Sequence, residues 1–239
     1  MHIWKTLALL SFAMFTLAPA FAQEAVIRKN LSEKMPPSTK IDEVSKTPIS
    51  GLYEVRVGFD IFYTDEQGRY LLRGSLLDTQ ARRNLTEERI EKLSAVDFDK
   101  LPLGDAFKIV RGDGARKLAI FEDPNCGYCK RFELELANVN NVTVYVFLYP
   151  VLGQDSTTKS RNIWCAADKA KTWSDWMTRS TTPPQADCDT NALQRNREFG
   201  QKYNITGTPT VIFADGSRAP GAISAQEVEK RLASAKAPP

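Results

Sequence analysis

The residues best suited to chemistry in this sequence are its four cysteines. Cys126 and Cys129 are separated by two residues, whereas Cys165 and Cys188 stand alone further along the chain. Four cysteines in an oxidising compartment allow three disulfide pairings. Because two cysteines one helical turn apart can bring their sulfur atoms together, we expect Cys126 to pair with Cys129, which leaves Cys165 for Cys188.

The two predicted bonds close rings of very different size. A bond between Cys165 and Cys188 closes a loop of about 24 residues, which contributes roughly 3 kcal/mol to stability in the chain-entropy model. A bond between Cys126 and Cys129 closes a four-residue ring and hardly constrains the unfolded chain. We therefore expect a structural role for the long-range bond and a reactive role for the short one.

Cys126 is predicted to be the nucleophile, because it follows an apolar strand and begins a helical pattern. A helix N-terminus offers unpaired N–H groups and the positive end of the dipole, which stabilise thiolate over thiol. Such a thiolate attacks a disulfide, and Cys129, one turn later and more buried, attacks the resulting mixed disulfide. We expect Gly127 to let the turn approach closely. Tyr128 has three open roles, namely redox tuning, substrate contact or coverage of the helix end.

Three other interpretations of the Cys126 to Cys129 motif are weaker. A zinc site needs a second close cysteine pair or histidines, and Cys165 and Cys188 are 23 positions apart. A purely structural bond of this ring size stabilises little, and buried free thiols fit poorly in an oxidising compartment. The motif therefore predicts thiol-disulfide exchange, with no metal and no cofactor.

The first residues of the chain indicate export. Lys5 precedes an apolar run from Thr6 to Ala18, and Ala20-Phe21-Ala22 has the small-residue spacing that a signal peptidase reads. The alternative, a membrane anchor, needs roughly 18 or more apolar residues, and this run is shorter. We predict a signal peptide at residues 1–22. The last residues carry no ER-retention signal, so a bacterial periplasm fits best.

Signal cleavage also removes the only histidine, His2. A chain without histidine has no Ser-His or Cys-His catalytic pair and lacks most zinc-enzyme ligand sets. Loss of Lys5 lowers the net charge from +3 to about +2. This near balance gives no support to nucleic-acid binding or to an anionic-membrane footprint.

The segments around the cysteines alternate between strand and helix patterns. In chain order they are a strand at 117–121, a helix at 126–137, a strand at 142–148, helical segments at 157–178 and 192–203, a strand at 210–213 and a last helix through Leu232. Ser224 and Glu227 form a capping box for that last helix. This order is that of a thioredoxin-type domain, and together with the N-terminal part it predicts a mixed α+β and α/β fold.

The N-terminal part is predicted to be a separate, small β-rich module. Apolar residues between Ile41 and Leu77, with a turn at Asp65 to Gly68, indicate short strands. We place this domain at residues 23–84, a helical linker at 85–104 and the thioredoxin-like domain at 105–239. About 60 residues bury little apolar surface. Two arrangements stay open, a dimer formed through the module or a monomer in which it packs on the second domain.

A further motif makes the pattern specific. Gly207-Thr208-Pro209 enters a predicted strand through a proline, a position that suits a cis bond in a tight turn. Together with Phe121 to Cys129 and Ile163-Trp164-Cys165-Ala166, it resembles the DsbC/DsbG family of periplasmic thiol:disulfide interchange proteins. Gly127-Tyr128 is closer to the DsbC branch. The resemblance covers essentially the whole chain after the signal, although the N-terminal module matches by layout more than by motif.

The resemblance implies roles for particular residues. Cys126 matches the exposed nucleophile, Cys129 its resolving partner, and Thr208-Pro209 the loop that pairs with the substrate backbone. Cys165 and Cys188 match a structural disulfide in the helical insertion. The resemblance also implies a cystatin-like N-terminal dimerisation domain, a V-shaped homodimer whose two sites face a shared cleft, and a membrane thiol reductant of the DsbD type.

The function predicted from these features is disulfide isomerisation and reduction on misoxidised secreted proteins. An isomerase must rest with Cys126 reduced, whereas an oxidase must rest as the disulfide, and the motif permits both. A third possibility is a dimeric holdase chaperone that binds unfolded chains in an apolar cleft without using its thiols.

Overall fold

The computed structural model describes residues 18–235, which divide into two compact units between Thr86 and Glu87. The predicted signal peptide, residues 1–22, lies for the most part outside the described residues. Within the described range, no helix combines the length and the apolar character that crossing a membrane would require.

In its described part, from residue 18 onward, the first unit contains one helix and two small antiparallel sheets. Its elements are α1 (Ala18–Ser32), β1 (Glu43–Lys46), β2 (Leu52–Val57), β3 (Asp60–Asp65), β4 (Leu71–Leu72), β5 (Leu77–Asp78) and β6 (Arg83–Asn84). Strands β1 to β4 form a meander in sequence order, and β5 pairs with β6.

The core of the first unit lies between α1 and the meander. Ile27 and Leu31, one turn apart on α1, are buried in one cluster with Val44 and Val55. At the turn after β3, Gly68 has φ +63° and passes so close to α1 that a side-chain carbon would lie 3.2 Å from the Ile27 carbonyl oxygen. Helix α1 was not predicted, because it starts inside the predicted signal peptide and has only a weak apolar stripe.

The second unit is built on a five-stranded sheet. Helix α2 (Leu85–Ser94) crosses the division between the units. The elements that follow it are β7 (Phe107–Arg111), β8 (Arg116–Glu122), α3 (Gly127–Leu136), β9 (Val142–Leu148), α4 (Gln154–Trp164), α5 (Lys169–Arg179), α6 (Asn191–Lys202), β10 (Thr210–Phe213), β11 (Arg218–Pro220) and α7 (Ala225–Ser234). The strand order is β11-β10-β8-β9-β7, with β8 and β9 parallel and the other pairs antiparallel. Strand β8, which leads to Cys126, is the central strand.

Both faces of this sheet are covered, and the alternation of side chains along β8 separates them. Leu118 and Ile120 are buried in a cluster that includes residues of α3, α5 and α7. Ala119 and Phe121 belong to a second cluster, with residues of the segment 96–101 and of α6. The strand that carries the reactive motif is therefore held on both sides.

The second unit differs from the predicted elements in three places. Strand β7 was not predicted, because it is a short edge strand with exposed Lys108 and Val110. The predicted helical stretch at 157–178 is two helices, and Asp168 caps the second by accepting a hydrogen bond from the Lys171 N–H at 2.9 Å. Within the predicted linker, α2 ends at Ser94, and the following residues contribute Val96, Phe98 and Leu101 to the second cluster.

Candidate active site

Cys126 lies at the junction between β8 and α3. It is the N-cap residue of α3, and its Sγ accepts a hydrogen bond from the Cys129 backbone N–H at 3.4 Å. The thiol also donates to the Thr208 carbonyl oxygen at 3.3 Å. An N-terminal N–H and the positive end of the helix dipole both stabilise negative charge on this sulfur. The local geometry therefore suits a thiolate at Cys126.

Cys129 occupies a different environment one turn further along α3. It is fully buried, whereas Cys126 is 6% exposed. Both cysteines are free, so this structure shows the dithiol form of the motif and not the expected Cys126–Cys129 bond. Burial raises the pKa of the Cys129 thiol well above its usual range, and the nearby Glu122 carboxylate raises it further. Cys129 therefore keeps its proton, and the two sulfurs of the motif are chemically distinct.

The loop at Thr208-Pro209 forms the neighbouring wall of the site. The peptide bond between these residues is cis, and β10 begins at the next residue. The Gly207 carbonyl accepts a hydrogen bond from the Thr210 hydroxyl at 2.8 Å, and the Pro209 carbonyl accepts one from the Gly221 N–H at 2.8 Å. These contacts fix the loop at its start and its end, beside Cys126.

The two residues between the cysteines lie on the open side of the motif. Tyr128 is 63% exposed, and the Arg131 guanidinium lies over its ring at 5.2 Å. A Cβ atom built on Gly127 would meet nothing within 4 Å in the described part of the chain. The position that a Gly127 side chain would occupy is therefore open space beside the motif.

The buried Asp123 positions the loop that precedes Cys126, and the sequence reasoning missed this role. One carboxylate oxygen accepts hydrogen bonds from the Asn125 N–H and the Ser156 hydroxyl, at 2.8 and 2.7 Å. The other accepts from the N–H groups of Val151 and Leu152, at 2.8 and 2.9 Å. Three of these four donors are 28 to 33 residues away in sequence, so no local pattern could reveal them.

Trp176 on α5 also holds the loop that precedes Cys126. The Trp176 indole N–H donates to the Pro124 carbonyl oxygen at 2.6 Å. The ammonium groups of Lys130 and Lys159 lie 4.0 and 4.7 Å from the centre of the Trp176 ring. Trp176 thereby links the approach to Cys126 with α3, α4 and α5.

Cys165 and Cys188 are remote in sequence from this motif and form a disulfide. Their sulfur atoms are 2.01 Å apart and their Cα atoms 5.5 Å apart. The bond joins the end of α4 to the segment before α6, where the Trp164 indole N–H also donates to the Asp189 carbonyl at 3.1 Å. Within residues 18–235, no cluster of three or more histidine, cysteine or acidic side chains is arranged to hold a metal ion.

The sheet order, the cysteine at the start of α3 and the adjacent cis-proline loop define a thioredoxin-like domain with a dithiol suited to disulfide exchange. Known families agree with this class. Residues 103–236 match the thioredoxin-like domain, and residues 18–87 match the N-terminal domain of disulfide bond isomerase proteins. The predicted fold class is therefore confirmed.

Individual relatives identify the family. The chain is 50% identical over 192 residues to the probable thiol:disulfide interchange protein DsbC of Bordetella parapertussis, covering 80% of this chain and 68% of that protein. It is 27% identical over 233 residues to DsbC of Escherichia coli, covering 92% and 94%. A crystal structure of a disulfide interchange protein from Neisseria gonorrhoeae has 34% identity and a TM-score of 0.55, covering 58% of this chain and 100% of that one. The chain belongs to the DsbC family of thiol:disulfide interchange proteins, as predicted.

Proposed function

We propose that this protein isomerises and reduces wrongly formed disulfides through the thiolate of Cys126. The observation that carries the proposal is the asymmetry of the motif. The Cys126 sulfur caps α3 beside Thr208, whereas Cys129 is buried behind it. A sulfur stabilised at a helix N-terminus, with a protonated and more deeply buried partner behind it, is the arrangement that two-step exchange requires.

The reaction begins when the Cys126 thiolate attacks one sulfur of a substrate disulfide. A bond forms between Cys126 and that sulfur, the substrate disulfide breaks, and the second substrate sulfur leaves as a thiolate. During isomerisation that thiolate attacks another disulfide of the same substrate, and a substrate thiolate finally attacks the mixed disulfide, which forms a new substrate disulfide and releases Cys126 as the thiolate. In reduction, Cys129 instead attacks Cys126, which closes the Cys126–Cys129 bond and releases the reduced substrate.

The substrates we propose are unfolded or misoxidised exported proteins, held against the Thr208-Pro209 loop and the motif. Tyr128 offers an exposed ring next to Cys126, and the Thr208 carbonyl already reaches the reactive sulfur. Val151 and Leu152, whose N–H groups bond to Asp123 in the loop before Cys126, are also exposed. Exposed apolar groups beside a reactive thiol suit chains whose own apolar residues are not yet buried.

We also propose domain boundaries and partners for this protein. Residues 23–84 are proposed as a dimerisation domain, 85–104 as the linker and 105–239 as the catalytic domain. In the first unit, β4 ends the four-stranded sheet, and Tyr70, Leu71 and Leu72 are exposed there. An apolar edge strand is suited to pairing with a second copy. We further propose periplasmic export through residues 1–22 and re-reduction by a membrane thiol reductant of the DsbD type.

The proposal is tested by substitutions of the two motif cysteines in refolding of scrambled ribonuclease. Cys126→Ser should abolish the recovery of active ribonuclease, because the attacking thiolate is gone. Cys129→Ser should accumulate mixed disulfides, visible on non-reducing gels, because the resolving thiol is gone. Full isomerase activity in Cys126→Ser would contradict the proposal. Alkylation trapping in cells separates an isomerase, with Cys126 and Cys129 free, from an oxidase, with these two cysteines bonded.

A holdase chaperone is the second candidate, favoured by the exposed apolar groups at Tyr128, Val151 and Leu152. The double variant Cys126→Ser, Cys129→Ser distinguishes the two functions in an aggregation assay. Unchanged protection of an unfolded client would support thiol-independent binding, whereas loss of protection would assign the effect to exchange chemistry.

A further inference from the structure

Tyr149 connects the two segments of the chain that meet at the reactive sulfur. It directly follows β9, and its backbone N–H donates to the backbone carbonyl of Glu122, the last residue of β8, at 2.7 Å. Its side-chain hydroxyl donates to the Ile205 carbonyl at 3.0 Å, in the segment that leads to Thr208. One residue therefore contacts both the strand that ends shortly before Cys126 and the loop that faces this cysteine.

The ring of Tyr149 is held tightly, so its hydroxyl has a defined position. The side chain is buried, and its ring packs edge-on against Phe121 with the ring centres 5.8 Å apart. The ring also lies against Gly200 of α6, where an added Cβ atom would be 2.5 Å from the ring and from the hydroxyl oxygen. Burial raises the pKa of the Tyr149 hydroxyl, which therefore stays protonated and able to donate.

Ile205 is the point at which the chain leaves the core and enters the cis-proline loop. Ile205 is buried, whereas Thr206 and Gly207, which follow it, are exposed. The hydrogen bonds described above for the carbonyl groups of Gly207 and Pro209 come from residues later in the sequence. Tyr149 therefore holds the chain where it enters the loop, and the other contacts hold it where it leaves.

The location of the Tyr149 hydroxyl bond distinguishes it from an ordinary core contact. A buried tyrosine hydroxyl needs a partner wherever it lies, and a phenylalanine ring would fill the same space. This partner, however, lies in the segment that carries Thr208, whose carbonyl accepts from the Cys126 thiol at 3.3 Å. Because exchange requires the reacting groups to be held in a defined geometry, the spacing between this loop and Cys126 affects the reaction.

We propose that Tyr149 is a positioning residue for disulfide exchange, whose hydroxyl holds the cis-proline loop at the spacing from Cys126 that a bound substrate backbone requires. The inference rests on the function proposed above, in which the substrate is held against this loop. Tyr149 acts on the loop through Ile205 and contacts neither the substrate nor the reacting sulfurs. The packing of its ring is a separate, structural contribution that a phenylalanine would retain.

The test compares two disulfide compounds in their reaction with the reduced, full-length protein. One is a peptide with a disulfide between two cysteines that each have several flanking residues, which offers a backbone to the loop. The other is hydroxyethyl disulfide, which has no peptide backbone. A Cys129→Ser background lets the mixed disulfide at Cys126 accumulate, and rapid quench gives its rate of formation with each compound. A change in Cys126 itself or in the folded fraction affects both rates alike and cancels in their ratio.

The informative variant is Tyr149→Phe, which keeps the ring and removes only the hydroxyl. The rate with the peptide should fall relative to the rate with hydroxyethyl disulfide by roughly three- to tenfold, the factor that one ordinary hydrogen bond supplies. The loss should appear in the half-saturating peptide concentration and not in the limiting rate, because the attacking sulfur is unchanged. Tyr145→Phe, the same change on β9 and in the same buried cluster, is the matched control and should keep the ratio.

Failure of the inference and failure of the proposed function give different results. An unchanged ratio in Tyr149→Phe would overturn the inference and leave the proposed function intact, since Cys126 would still react with both compounds. An equal fall in Tyr145→Phe would also overturn the inference, because the effect would then follow from the loss of any hydroxyl in that cluster. If the protein with Tyr149 and Tyr145 in place formed no mixed disulfide with either compound, the proposed function would be overturned, and the inference with it.

Discussion

Cys165 and Cys188 are bonded across 23 positions of sequence, whereas Cys126 and Cys129 are free and lie within one helical turn. The first pair ties together two segments of the helical insertion. The second pair is surrounded by a helix N-terminus, a carbonyl group and a buried acid, which give its two sulfurs different properties. The size of the ring that a cysteine pair closes therefore sets its contribution to stability, whereas the local environment of the sulfur atoms sets the reactivity of the pair.

The largest expected effect tests the structural side of this comparison. Replacing both Cys165 and Cys188 with alanine should lower the free energy of unfolding by about 3 kcal/mol, because the unfolded chain loses a long-range constraint. Urea denaturation measures this loss. The double variant Cys126→Ala, Cys129→Ala is the matched control, and its loss should be smaller because both of these cysteines are free and close no ring. Equal losses of unfolding free energy in the two double variants would show that the Cys165–Cys188 bond contributes no special stability.

An intermediate effect is expected at the support of the reactive pair. Asp123→Asn should cost about 2 kcal/mol of unfolding free energy, because an amide N–H₂ then faces backbone or hydroxyl donors in a buried site. The rate of Cys126 alkylation should change as well, since the loop that carries this cysteine loses its anchor. Asp187→Asn, on an exposed carboxylate in the segment before α6, should cost less than about 1 kcal/mol. If Asp123→Asn changed neither the unfolding free energy nor the rate of Cys126 alkylation, Asp123 would not be holding the loop before Cys126.

Per pH unit, the smallest expected effect is a pH dependence of stability that arises at Glu122. Burial makes the pKa of Glu122 higher in the folded than in the unfolded state, so between these two values the folded state binds more protons. Stability should therefore fall as the pH rises above the ordinary carboxyl range, by at most about 1.4 kcal/mol per pH unit. In denaturation series across pH, Glu122→Gln should lose this slope and become the more stable protein at high pH. An unchanged slope would show that Glu122 is not the group responsible.

The reactive motif and most of the second unit could be predicted from the sequence, because their signals are local. The spacing of Cys126 and Cys129 and the apolar runs of β8, β9 and β10 each occupy a few consecutive residues. The capping pair Ser224 and Glu227 is equally local, and the Ser224 hydroxyl accepts a hydrogen bond from the Glu227 N–H. The resemblance to the DsbC/DsbG family also depends on short local motifs of this kind.

The remainder depends on contacts between distant residues, which a single sequence does not display. Asp123 and Glu122 look alike in sequence as two adjacent acids. The fold turns Asp123 into a hydrogen-bond centre for residues of the 151–156 segment and leaves Glu122 without a hydrogen bond among the described residues. Likewise β7 is too short and too exposed on one face to stand out, and only its pairing with β9 defines it.

The contact between Cys126 and the Thr208 carbonyl spans 82 positions of sequence, and the register of β8 with β10 pairs Phe121 with Thr210. Contacts of such long range form slowly, because the loop between them must close first. During synthesis from the N-terminus, Cys126 emerges well before the loop at Thr208 that completes its site. The nucleophile is therefore a late product of folding, and the newly made chain passes through a period in which its own thiols lack the surroundings that direct their chemistry.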